Sequence, residues 1–217
     1  MPEKQNLPGA PPDAAIAIAI AALRTGEVVV YPTETFYGIA ADAFEPEALE
    51  RIFEIKGRDT AKTIALIAQD AAAAFAIARE VPEIARRLAA AFWPGPLTIV
   101  MPARSGIPNA LIGPDGGVGI RVSSHPIART LAYGLGRPIT ATSANRSGEP
   151  PARTIAEARA ALGDKIKVFV EGGTLAGDVP STVVQCDRDG WRLLRAGAIG
   201  AAEIETALSV DQQADEA

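Results

Sequence analysis

Apolar and polar positions along this chain switch between helical and strand periods. The segment DAAIAIAIAALRTG (13–26) could alternate as a strand, but alanine is the strongest helix former and Ile16, Ile20 and Leu23 share one helical face. A helix is therefore predicted, with Asp13 as its N-cap and Gly26 just past its end. VVVY (28–31) is short, apolar and β-branched, as a buried strand should be, and Pro32 breaks it into the loop PTETFYG. From Pro46, the positions Leu49, Ile52, Phe53 and Lys56 keep helical spacing up to a stop at Gly57. TIALIA (63–68) then reads as a strand, the alanine-rich stretch 70–79 as a helix, and 81–93 as a second helix ending at Pro94-Gly95-Pro96. LTIVMP, GVGIRV, PITATS, VFV, STVVQC and WRLLR follow as strands, with helices at 125–136, 154–162 and about 201–208. Helices alternate with strands early and strands cluster late. The order predicts an α/β domain over 13–208 built on a mixed sheet, with parallel crossovers early and antiparallel pairs late. Residues 1–12 read as a loose proline-rich arm and 209–217 as an acidic tail.

Composition narrows the function classes. The 217 residues are 48% hydrophobic and 22% charged, an ordinary globular balance with enough length for one core. A net charge of -5 supplies no global basic field for nucleic acid or an anionic membrane, so any RNA contact would need a local patch. No apolar run is long enough to span a membrane, and the amino-terminal stretch lacks the pattern of a signal peptide, so a cytoplasmic location is expected. A single cysteine, Cys186, and a single histidine, His125, exclude an internal disulfide and any Cys/His zinc site of the usual spacing.

Polar clusters stand at predicted strand ends, where open α/β sheets bind ligands: Thr33-Glu34-Thr35, Lys56-Gly57-Arg58 with Lys62, Arg121, Thr142 to Asn145, Ser181-Thr182 and Arg195. Lysine and arginine supply cationic donors and the hydroxyls and amide short neutral bonds, a set suited to an anionic, polyoxygenated ligand. The competing reading of each cluster alone is a solvated helix end or a turn. GRDTAKT lacks the second glycine of a P-loop and GGVGIR lacks the third glycine of a dinucleotide fingerprint, so neither motif is present. Glu34 is the only carboxylate inside a cluster, which leaves a paired-carboxylate acid and base without support. His125, ahead of Pro126, is read as a helix cap or surface residue, and the segment 93–98 as packing.

Seven blocks in order, YPTETFYGIAADAF, IFEIKGRDTAKTIALIA, FWPGPLTIVMPA, VGIRVSSHPIA, PITATSANRSGEPP, PSTVVQC and WRLLRAGAI, resemble the YrdC-like family of threonylcarbamoyl-adenylate synthases. The resemblance runs from about residue 14 to 208, in the manner of short members without the extra C-terminal domain. It implies a twisted mixed sheet flanked by helices around a deep, positively charged cavity. The implied reaction joins L-threonine, bicarbonate or CO2, and ATP into threonylcarbamoyl-AMP and pyrophosphate, after which partner transferase proteins pass the group to tRNA. The family's KxR and SxN signature is matched by Lys56, Arg58, Ser143 and Asn145, which the resemblance makes the catalytic set. It further implies ATP contacts from Arg58, Lys62, Ser143, Asn145 and Arg195, with Lys56 near the phosphates and the backbone at Gly117 and Ala141 lining the cavity. Thr35, Arg121 and Ser181 match the threonine-binding positions. Mg2+ is expected to arrive with ATP rather than in a protein-held cage. Where some longer relatives carry a histidine, Ile67-Ala68 stand here. Two other readings stay open at this point: an RNA-binding module, which the acidic total disfavours, and a weakly active paralogue acting on a related carbamoyl substrate.

Overall fold

The computed structural model describes residues 12–57 and 63–210. Seven α-helices are present among them: α1 (Pro12–Arg24), α2 (Pro46–Lys56), α3 (Ala71–Phe75), α4 (Glu83–Phe92), α5 (Pro126–Leu135), α6 (Ile155–Leu162) and α7 (Ala201–Val210). Nine strands are β1 (Val29–Tyr31), β2 (Gly38–Ala40), β3 (Ala65–Ile67), β4 (Leu97–Pro102), β5 (Gly117–Arg121), β6 (Ile139–Ser143), β7 (Val168–Phe169), β8 (Thr182–Cys186) and β9 (Trp191–Arg195). They form one mixed sheet in the order β7-β1-β2-β6-β3-β5-β4-β8-β9.

The expected α/β class and mixed sheet are observed, but not the expected grouping of strand directions. The first pair, β1 with β2, is antiparallel, and the late strand β8 runs parallel to β4. The reversal arises because β2 follows β1 through a short loop, which suits antiparallel pairing, while β8 reaches β4 only after a long excursion. The strand β2 itself was not foreseen: Gly-Ile-Ala is too short and too weakly β-prone to stand out. Helix α1 begins at Pro12, so Asp13 lies within its first turn rather than capping it. Helix α3 covers Ala71–Phe75 and so stops short of the expected end at 79. Helix α7 extends two residues past the expected boundary at 208, to Val210.

Side-chain alternation explains how two cores share one sheet. Val29 and Tyr31 join the cluster under α1 and α5, while Val30 points to the opposite face with α2, α4 and α6. The same split separates Ala40 from Ile39 and Ile67 from Leu66. On β4, β5 and β8, the residues Leu97, Ile99, Met101, Val118, Ile120, Val184 and Cys186 all face the larger core. Their alternates, Thr98, Val100, Gly117, Gly119, Arg121, Val183 and Gln185, must face the side that α1 and α5 cover only over the neighbouring strands. That uncovered half of the sheet is the floor of a cavity. Glycine keeps the floor low: a Cβ on Gly117 would stand 2.6 Å from Val100 Cγ1.

Candidate functional site

The cavity has a volume of about 800 Å3, near the top of the range usual for small-molecule sites. Its walls are the loops after β1, β6 and β7 and the loop ahead of β5, so polar residues from distant parts of the chain meet there.

One wall is organised by Lys56, the last residue of α2. Gly57 closes that helix in the left-handed conformation at φ 56°, with its N–H bonded back to Phe53 and Glu54. Lys56 is only 4% exposed, and its ammonium donates to the carbonyls of Ser143 and Asn145 at 2.5 and 2.9 Å and to Asn145 Oδ1 at 3.3 Å. Ser143 Oγ donates to the same Oδ1, and Asn145 Nδ2 donates to the Glu149 carbonyl. The helix end and the carboxyl end of β6 are thereby locked together around a buried cation.

The opposite wall is the loop after β1. Thr33 Oγ1 accepts from the N–H groups of Thr35 and Phe36 at 3.2 Å each and donates to the Phe36 carbonyl at 2.7 Å, a local turn that leaves Thr35 on the cavity. Between them, Glu34 accepts from Arg121 Nη1 and, on its other oxygen, from Ser123 Oγ. Arg121 ends β5 and is 6% exposed. The loop after β7 packs against this turn: Tyr37 Oη donates to the Gly173 carbonyl at 2.8 Å and accepts from Gly172 N at 2.9 Å. Burial pushes the Tyr37 phenol up to about 12, so it stays protonated as a donor.

The third group lies at the start of β8. Arg195 donates through Nε and Nη2 to the Ser181 carbonyl at 3.2 and 2.8 Å, and through Nη2 to Ser181 Oγ at 3.0 Å. Thr98 Oγ1 stands 3.1 Å from the same hydroxyl. Burial, and after it the positive charge of Arg121, hold the Arg195 guanidinium below its usual value. Two guanidinium groups sensing one another across a cavity favour an anionic occupant. The described lining also carries Asp115, Glu149 and Asp178, of which Asp115 pairs with Arg192 on the rim.

Lys56, Gly117, Ala141, Ser143, Asn145 and Arg195, together with Thr35, Arg121 and Ser181, all line this one cavity. Arg58 and Lys62 lie outside the described residues. His125 caps α5, its Nδ1 accepting from Ile127 N at 3.3 Å, as the sequence suggested. Trp93 packs, donating from Nε1 to the Leu97 carbonyl at 2.7 Å, but the same segment also delivers Thr98 to the cavity, which a packing role did not anticipate. Ser123 was missed as well; its only signal was its place beside the strand end at Arg121. Among the described residues, no group of three or more His, Cys, Asp or Glu side chains is placed to hold a metal ion, and no helix is long and apolar enough to cross a membrane.

Comparison with known proteins gives the same cavity a family. A threonylcarbamoyl-AMP synthase of Pyrococcus abyssi is 37% identical over 190 residues, 88% of this chain and 56% of the relative. One of Photobacterium profundum is 34% identical over 166 residues, 76% of this chain and 90% of the relative. The chain thus spans about half the length of the first relative and nearly all of the second. A crystal structure of P. abyssi Sua5 complexed with L-threonine superposes with a TM-score of 0.85 at 37% identity, covering 88% of this chain and 56% of that one. E. coli YciO superposes with a TM-score of 0.80 at 27% identity, covering 91% and 96%. A sequence model of the Sua5, YciO and YrdC family, described as telomere recombination, matches residues 21–197, and the chain belongs to that family.

Proposed function

We propose that this protein is a threonylcarbamoyl-AMP synthase that uses L-threonine, bicarbonate or CO2, and ATP. The observation that carries the reading is the convergence of Lys56, Ser143 and Asn145 with Thr35, Arg121, Ser181 and Arg195 on one cavity large enough for a nucleotide and an amino acid. The curated names of the relatives and the threonine complex of the Pyrococcus protein support it.

In this reading the threonine amine, having lost its proton, attacks CO2 to form a carbamate. A carbamate oxygen then attacks the α-phosphorus of ATP, and pyrophosphate leaves with the electron pair of the broken P–O bond. No protein nucleophile is needed, so the work is positioning and charge stabilisation. Arg121 takes the amino acid's carboxylate, with Thr35 and Ser181 on its remaining polar groups. Arg195, Ser143 and Asn145 hold the nucleotide, joined by Arg58 and Lys62; Lys56 fixes the Ser143–Asn145 turn beside the phosphates, and the backbone at Gly117 and Ala141 leaves room for it. The cavity is taken to be electropositive, and Mg2+ enters on the ATP phosphates. Downstream, transferase proteins carry the group to a tRNA adenosine in the cytoplasm.

The test incubates the purified protein with ATP, L-threonine, bicarbonate and Mg2+, omits each in turn, and follows pyrophosphate and threonylcarbamoyl-AMP by mass spectrometry. Product that requires all three reactants is expected. ATP binding without product would move the reading to a paralogue acting on a related carbamoyl substrate.

A further inference from the structure

We infer that Glu34 is a positioning residue that sets Arg121 for the substrate's carboxylate, an inference that rests on the proposed reading of this cavity. Glu34 does not line the cavity, and both its oxygens are engaged within the protein, one by Arg121 Nη1 and the other by Ser123 Oγ. It therefore acts on a ligand only through Arg121.

The bond between Glu34 and Arg121 spends one edge position of the guanidinium, which has five N–H donors in a fixed fork. Among the described residues no other hydrogen bond of the Arg121 side chain is found, although that side chain is 7% exposed and lines the cavity. A buried guanidinium with one protein partner has its remaining donors available to a second carboxylate, and the Glu34 anchor decides which way they face. The anchor is itself held from three directions. Ser123 is fully buried and its Oγ accepts from His125 N at 3.1 Å, which turns its proton toward Glu34. Arg129 Nη1 donates to the Ser123 carbonyl at 3.0 Å, and Thr33 fixes the turn from which Glu34 projects. The β1–β2 loop, the end of β5 and the start of α5 thus meet at one carboxylate.

Charge gives the arrangement its purpose. Arg121 and Arg195 line the same cavity, and Glu34 is the carboxylate paired with Arg121. Without it, Arg121 would rotate away from Arg195 and lose the orientation in which a planar carboxylate binds two parallel N–H groups.

The test compares Glu34→Gln, Glu34→Ala and Ser123→Ala with the wild-type protein, measuring KM for L-threonine and ATP separately and titrating L-threonine by calorimetry. For Glu34→Ala the threonine KM should rise about tenfold or more, the scale of one charge-assisted hydrogen bond, with ATP KM within about twofold of wild type. Glu34→Gln, which keeps the hydrogen bond to Arg121 but not the charge, should lie between, as should Ser123→Ala, which loosens the anchor without touching it. Equal changes in both KM values would mark a general loop defect and overturn the inference, as would unchanged threonine affinity in Glu34→Ala. If that variant does not fold, Glu34→Gln and Ser123→Ala decide alone by the same split. Absence of product with the wild type overturns the proposed reaction, while the calorimetric series still judges Glu34; absence of threonine binding by the wild type overturns both.

Discussion

Replacing Lys56 by methionine tests whether this buried ammonium builds the Ser143–Asn145 wall. The change keeps most of the side-chain length and removes donors to three oxygens. Those oxygens are not equally dependent on it. The Ser143 carbonyl also accepts from Asn145 N at 3.0 Å, and Asn145 Oδ1 also accepts from Ser143 Oγ. The Asn145 carbonyl is left with no other donor among the described residues. One orphaned buried carbonyl costs about 1–3 kcal/mol, and two weakened charge-assisted bonds add to it, so a loss of roughly 2–4 kcal/mol is expected. For a domain of this size that lowers the melting midpoint by about 5–15 °C. Urea denaturation gives the stability and the omit-one assay gives the activity; Lys56→Met should fall in both, with product formation abolished. Stability within about 0.5 kcal/mol of wild type would refute the structural argument, because surface-like tolerance at a buried ammonium is incompatible with the bonds described. A variant that is stable yet inactive would instead assign Lys56 to direct ligand contact.

Three further outcomes are expected. A Cβ at Gly177 would stand 2.7 Å from Thr35 Cα and closer still to its carbonyl, so Gly177→Ala should displace the threonine-facing turn, raising KM for threonine more than for ATP in steady-state assays. Thr154 closes a reciprocal capping box with Glu157 at the start of α6, and Thr154→Ala should cost about 1 kcal/mol in urea denaturation while leaving activity intact. Burial depresses the His125 value, the Arg129 charge adding to it and Glu34 opposing. Below about pH 6.5 the unfolded chain then binds the extra proton, so the stability from this group is present above that value and lost as pH falls through and below it. His125→Asn, which can still cap α5, should flatten that part of the melting-midpoint profile between about pH 7.5 and 5.5; an unchanged slope would remove His125 as its source.

How much was legible from residues alone depended on how far each signal reaches. LTIVMP and PITATS read as strands because their apolar and β-branched positions carry the information locally, and β4 and β6 lie on them. Helix α2 was legible at both ends, from Pro46 at its first turn to Gly57 in the left-handed conformation past its last. His125 was legible as a cap because the ring sits next to the helix it serves. Strand β2 was not, since three residues including a glycine gain their strand geometry from pairing with β1 and β6 rather than from propensity. Thr98 was hidden because the tryptophan and prolines before it announce packing, while the face its hydroxyl takes depends on strand alternation relative to a core not yet assembled.

The sequence by itself determined the α/β class, most element positions and the residue types that gather in the cavity, because helix period, strand alternation and capping act over a few neighbours. Tertiary structure decided which residues share a wall. Ser181 meets Thr98 across 83 positions, and Lys56 meets Ser143 across 87, and both contacts exist only because β8 pairs with β4 and β6 with β2 and β3. It also gave Glu34 its partner: a lone carboxylate in a threonine-rich loop has no assignable role until the sheet brings the end of β5 and the start of α5 against it. Sheet order is a property of long-range pairing and of which faces the helices cover, and no local pattern in the chain encodes it.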